Sequence, residues 1–307
     1  MEREVLENMS SAELVKLLKE DPSLSSKFDE YSLWSKIITW SFLLVKQPQF
    51  ANKCDKWDEF DADDWSYLLA EQPRFADKCD KWGEFDAYEW RSLLEKHPQF
   101  GNKAKEFVSG WAGILSIKPK LAKECDKWGK FSAWDWSCLL SKQPQFADKC
   151  DEYYGWRKFN GYVWNDLLSK QPQFAGKCDK WEEFDASNWN VLLENQPQFV
   201  EYAKHYTSGW VAILIREPEL AEECYMWMWG EFNGYDWSYL LEKRPRFADK
   251  CDEYRGWRNL DAWKWRELLA EQPQFADKCD KWAKFDAYKW SYLLEKRPRF
   301  ADKCDEY

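Results

Sequence analysis

Ten cysteines and two histidines stand among 55 Asp and Glu residues in this 307-residue chain. In other spacings such groups build disulfide lattices, zinc sites or acid–base pairs. Here the spacing argues against all three. Nine of the cysteines, Cys54 to Cys304, stand six residues after a proline. The same position holds Phe28, Ala104 and Ala203 in the other three cases. A position that accepts Cys, Ala or Phe is a packing position, and a free Cys packs as a small hydrophobe. No Cys-x-x-Cys pair with zinc spacing occurs. His97 and His205 are isolated, and no nucleophile elbow, metalloprotease or glycine-rich phosphate motif is present. The expectation is a chain that is not an enzyme and holds neither metal nor cofactor.

The rings are the other candidates. Two positions before a recurrent Trp stand Tyr88, Trp134, Tyr162, Tyr235, Trp263 and Tyr288, but Asp63 and Ser187 elsewhere. Two positions after it stand Phe42, Tyr67, Tyr239 and Tyr292, but Ser92, Asp166 and Glu267 elsewhere. Residues four apart share a helix face. A face that mixes rings with polar residues suits a partly exposed ribbon, and rigid rings there suit a protein partner. Packing between neighbouring helices would also suit them. Trp156, Trp229 and Trp257 fall outside the regular frame, so they are read either as partner contacts or as plugs of their own loops.

The elements that would carry these residues follow from the prolines. Twelve of them, Pro22 to Pro298, recur at gaps of 21 to 28 residues, most often 25. Each lies in a segment close to Trp-x-x-Leu-Leu-x-x-Gln-Pro-x-Phe-Ala-x-Lys-Cys-Asp-x-Trp. A period of this length is the mark of a solenoid, whose repeats bury their apolar faces against neighbours. In the repeat from Phe60 to Trp82, Asp61 reads as an N-cap with Phe60 and Trp65 at staple spacing. Trp65, Leu68 and Leu69 then share one face of a first helix, A. Pro73 ends it and opens a second helix, B, with Phe75, Cys79 and Trp82 on one face. Each helix is expected to run about ten residues. Trp57, Trp82, Trp128, Trp181, Trp227 and Trp282 are read as closing helix B. Phe107, Tyr153, Tyr206, Tyr254 and Tyr307 would take that place elsewhere.

The predicted fold is all-α: a curved solenoid of about twelve two-helix repeats. Residues 1–31 form an N-terminal capping repeat, with Ser10 and Glu13 as a capping box, and residues 32–307 form eleven tandem repeats in one continuous array. A longer rhythm lies above the repeats. Ser109-Gly110-Trp111 recurs as Ser208-Gly209-Trp210 after 99 residues, and the 28-residue gaps recur in the same way. A four-repeat block has been duplicated, which would double any binding surface.

The repeat Trp65-Ser66-Tyr67-Leu68-Leu69-Ala70-Glu71-Gln72-Pro73-Arg74-Phe75-Ala76-Asp77-Lys78-Cys79-Asp80 resembles tandem repeats of bacterial proteins without an assigned activity. In architecture alone it is similar to tetratricopeptide and ankyrin arrays. The resemblance implies a helical-hairpin solenoid and no particular function.

A formal net charge of −10 argues against nucleic acid or an anionic membrane as the partner. The polar residues flanking the prolines, such as Gln72/Arg74 and Arg244/Arg246, read as a solvated rim. No secretory leader or membrane span is expected, so the chain is placed in the cytoplasm. The expected function is a non-catalytic scaffold that binds a protein or peptide along one face. The alternatives are a structural, self-associating element, joined through the C-terminal repeat, or a protein that sequesters a ligand or nucleic acid.

Overall fold

A computed structural model of the chain describes residues 3–37 and 39–306. Among them there is no strand, and the fold is an all-α repeat fold. The chain divides into two compact segments, Met1–Lys158 and Phe159–Tyr307. Phe159 lies 99 residues after Phe60, its counterpart in the duplicated block, so the division falls where the second copy starts.

The A helices form as their caps dictate. Asp61 opens Ala62–Glu71 by accepting from the Asp64 N–H at 2.8 Å. Ser132 and Asp135 make a reciprocal capping box on Ala133–Lys142, and Ser10 and Glu13 do so on Ser11–Glu20. Trp65, Leu68 and Leu69 are wholly buried. Within Met1–Lys158, the helices Trp40–Lys46, Ala62–Glu71, Ala87–Lys96, Val108–Ile117 and Ala133–Lys142 each pack on the next. Within Phe159–Tyr307 the same holds from Gly161–Lys170 through Ala186–Asn195, Thr207–Arg216, Gly234–Lys243 and Ala262–Glu271 to Ala287–Lys296.

Helix B differs from the expected ten-residue α-helix. After Pro73 it is a six-residue 3-10 helix, Pro73–Lys78, and Cys79 is already extended at φ −74° and ψ 123°. The tighter 3-10 spiral suits short pieces only. The early stop lets the chain return within a few residues to place Trp82. Where the chain reads Cys-Asp-Glu-Tyr, the segment instead continues as an α-helix, Ala147–Glu152 and Ala248–Glu253. The return is then longer and needs a sharp turn. Tyr154 and Arg255 supply it in the left-handed region at φ 54° and 56°, and Ser32 does so near the N-terminus at φ 55°. Gly256 follows because a Cβ there would lie 2.5 Å from the Trp237 ring.

The closing rings are also corrected. Trp227 is 61% exposed, whereas Trp229 is 1% exposed. Trp156 and Trp257 are buried as well, at 8% and 9%. These three are therefore the closing rings of their repeats, neither partner contacts nor mere loop plugs. Tyr153 and Tyr254 do not take that role, and Tyr307 lies outside the described residues. The governing spacing counts forward to the next helix: Trp-x-x-Phe, then the helix A Trp eight residues after the first. Seven such pairs, from Trp57–Trp65 to Trp282–Trp290, stack at 5.5–5.8 Å with ring planes 11–26° apart. Each of these closing rings also meets the Phe of the next B segment at 5.2–5.7 Å. Trp156 and Trp257 donate their indole N–H to Asp151 and Asp252 at 2.9 and 2.8 Å. Phe107 and Tyr206 instead stack backward, on Trp90 at 5.8 Å and Trp189 at 5.6 Å.

The polar residues before the prolines are not a loose rim. Gln72 donates to the Val45 carbonyl at 2.9 Å, Gln143 to Ser116 at 2.7 Å and Gln196 to Ser169 at 2.8 Å. Gln272 reaches Glu242 at 2.7 Å, and Arg244 and Arg297 reach Ile215 and Ala270 at 2.7 Å. Each acceptor is a last-turn carbonyl of the preceding A helix, a group with no partner inside its own helix. The pre-proline side chain is thus a clamp between successive repeats. The residue after the proline steadies it, as Gln145 does on the Gln143 Oε1 at 2.7 Å.

Two outcomes follow. Trp229→Ala should cost about 3–5 kcal/mol in urea unfolding, as truncation of a buried ring does, while Trp227→Ala should stay within about 0.5 kcal/mol. Gln143→Ala should cost about 1 kcal/mol, the net value of one intramolecular hydrogen bond, measured by the same transition.

Candidate partner-binding surface

The rings flanking the helix A tryptophans divide by exposure. Trp134, Tyr162, Trp263 and Tyr288 stand 46%, 62%, 46% and 64% exposed at the second helical position. Phe42 and Tyr67 are exposed two residues after their tryptophans and touch each other at 5.2 Å. Tyr88, Tyr235, Tyr239 and Tyr292 are half-buried. Tyr88 meets Trp134 edge-on at 6.5 Å, and Tyr235 stacks on Tyr239 at 5.8 Å. Trp263 and Tyr288 lie 5.7 Å apart. Arg266, itself buried, sits over Trp263, Tyr288 and Tyr292 at 4.6, 5.7 and 4.3 Å. Each such cation–ring contact contributes roughly 0.5–2 kcal/mol.

Two surface features were not among the sequence candidates. Tyr225, Met226 and Trp227 form an exposed apolar run at the start of the helix Met226–Glu231. The forward count Trp229-x-x-Phe232 would have released Trp227 from the core. The second feature is a cleft, and it occurs twice. Each copy lies at a short repeat, where the proline gap falls to 21 residues. There the A helix follows helix B at once, because Gly110 and Gly209 admit a carbonyl that a Cβ would meet at 2.0 and 2.1 Å. The helices Val108–Ile117 and Thr207–Arg216 consequently begin without a side-chain cap.

In the first segment the cleft has a volume of about 310 Å³ between Asp86, Tyr88, Ser109, Ser132, Trp134 and Asp135. In the second it is about 450 Å³ and includes Asp185, Ser208, Asn233, Tyr235 and Asp236. These positions correspond, 99 or 101 residues apart. Glu182, Glu183 and Glu231 line the second copy as well. Their counterparts in the first segment are Gly83, Glu84 and Lys130. The duplicated cleft has therefore diverged in charge.

Asp236 is the deepest acid of the second cleft. It is 2% exposed; its Oδ2 accepts from the Asn233 N–H at 3.1 Å, and its Oδ1 accepts no hydrogen bond. Burial pushes its carboxyl up to about 6; the Asn233 hydrogen bond opposes this and the Asp185 charge adds to it. Burial likewise raises the Tyr235 phenol to about 12, with Asp185 contributing. Lys180 pairs with Glu183 at 2.9 Å, and Lys264 lies 4.7 Å over the Tyr235 ring and pairs with Glu267. Burial lifts the thiols of Cys54 and Cys79 to about 11 and those of Cys178, Cys224 and Cys279 to about 12, which makes these five poor nucleophiles.

No family model, curated protein or solved structure matches this chain.

The buried Asp236 predicts a pH-dependent gain. Its folded-state pKa is raised, so the fold holds the proton that the unfolded chain releases near pH 4. The cost of ionising it is absent below about pH 4 and complete above about pH 6. Asn188 fills the equivalent place on Ala186–Asn195 and keeps the capping box, so Asn is tolerated there. Asp236→Asn should therefore stabilise the protein by about 2 kcal/mol at pH 7.5, with the gain vanishing near pH 4, measured by thermal unfolding across that range.

Proposed function

We propose that this protein is a non-catalytic repeat scaffold that binds a peptide or protein segment along its A helices. The observation that carries the reading is the set of large exposed rings, Trp134, Tyr162, Trp263 and Tyr288, held at one helical position by capped helices. Rings on rigid elements lose little entropy on binding and dominate interface energetics. Nothing in the interior requires these rings to be large, since Asp63 and Ser187 fill the same position in other repeats. The ten cysteines form no disulfide with one another, which fits a reducing compartment such as the cytoplasm.

The test is selection from a displayed random-peptide library. Wild-type protein should enrich a defined set of peptides. A variant carrying Trp134→Ser, Tyr162→Ser and Tyr288→Ser should bind them at least tenfold more weakly while unfolding at a temperature close to wild type. Failure to enrich any peptide, or equal binding by the variant, would contradict the reading.

A further inference from the structure

We propose that the cleft of the second segment binds the guanidinium group of an arginine side chain presented by the peptide partner, an inference that rests on the reading above. Five acidic residues line the cleft: Glu182, Glu183, Asp185, Glu231 and Asp236. Glu183 pairs with Lys180; among the described residues the exposed Glu182 and Glu231 make no ion pair. Asp236 lines the cleft at 2% exposure, and its Oδ1 is shielded from solvent and has no donor. A buried acceptor left without a donor is costly, so a guanidinium entering the cleft would gain by drawing this oxygen out to meet an N–H.

The walls favour a planar cation. Tyr206 and Tyr235 line the cleft beside the carboxylates, and an entering guanidinium would displace the Lys264 ammonium that lies 4.7 Å over the Tyr235 ring. A guanidinium presents a fork of N–H donors to carboxylates and stacks on aromatic faces, which an ammonium does less well. The chain already uses this chemistry internally, where Arg266 lies against Trp263, Tyr288 and Tyr292. Among the described residues no group of three or more His, Cys, Asp or Glu is placed to hold a metal ion. A peptide is favoured over a free cation because the cleft is open and lies in a segment that also exposes Tyr162, Trp263 and Tyr288.

The first segment supplies the control. Its cleft has the same backbone plan, but Gly83 and Lys130 replace Glu182 and Glu231. It should not select arginine.

The experiment measures fluorescence anisotropy of a labelled Gly-Ser-Arg-Arg-Ser-Gly peptide against the full chain. A second peptide carries citrulline at both arginines, which keeps the shape and removes the charge. Three variants are compared with wild type: Glu182→Gly with Glu231→Lys, Asp236→Asn, and Asp58→Gly with Glu59→Lys. The last makes the same charge change at equivalent repeat positions away from the cleft. Wild type and the Asp58/Glu59 variant should bind the arginine peptide alike. The two cleft variants should lose at least tenfold, and the citrulline peptide should fail. Equal weakening by the cleft and control charge variants would reduce the effect to net charge and overturn the proposal. So would unchanged binding in both cleft variants, or displacement of the peptide by spermidine at concentrations below those of competing arginine peptide. If library peptides bind through Trp134, Tyr162 and Tyr288 but ignore Glu182 and Glu231, the scaffold reading stands and this one falls.

Discussion

Stacking of a closing tryptophan on the tryptophan of the next A helix is the contact on which the other features depend. A ten-residue helix is marginal by itself in water, and a two-turn 3-10 helix is weaker still. The closing indole of Trp57 meets three rings, the Phe three residues on, the Trp eight residues on and the Phe of the following B segment, and Trp82, Trp128, Trp181, Trp229 and Trp282 do the same. One such cluster fixes the exit of one repeat, the entry of the next, and the angle between them. Burial of each indole contributes several kcal/mol, and each ring pair adds roughly 0.5–1.5 kcal/mol beyond the area buried. The arrangement carries a cost. The indole N–H groups of Trp40, Trp65, Trp90, Trp136, Trp189 and Trp265 are buried without a hydrogen-bond partner. Packing at these positions outweighs roughly 1–3 kcal/mol of lost solvation for each.

The second constraint is the clamp that precedes most of the prolines. Proline ends the A helix and leaves its last carbonyls open. Gln, His or Arg in the preceding position closes the matching carbonyls one repeat earlier, as His97 does at 3.0 Å from the Ala70 oxygen. The side chains differ, yet each places a nitrogen within 2.7–3.3 Å of the backbone carbonyl it serves. The stack is thus held by rings on its inside and by a line of polar clamps along the helix ends. Against that fixed frame, the helix A positions that face outward are free to vary, and there rings, acids and small polar residues alternate.

Much of this was legible in the sequence, and the failures are instructive. Caps and staples were readable because they are local: Asp61 with Asp64, or Ser132 with Asp135, need only three residues. The length of helix B was not, because proline, alanine and lysine permit either spiral, and the choice is made by where the next ring must land. The closing rings were mis-phased where the count ran forward from the proline. Counting back from the helix start places Trp156, Trp229 and Trp257 inside and Trp227 outside. The clefts were hidden for another reason. They arise where three helix beginnings converge around Ser109 or Ser208, and convergence is a property of packing. Yet their markers, the Ser-Gly-Trp triplets and the 99-residue echo, were plain in the sequence.

The account stands on coupling between neighbours through the closing ring, and native-state hydrogen exchange of a Trp181→Ala variant tests this most directly. The account predicts faster exchange in the helices Gly161–Lys170 and Ala186–Asn195, with protection in Ala287–Lys296 close to that of the wild type. A uniform loss of protection across the second segment, or none at all, would contradict it.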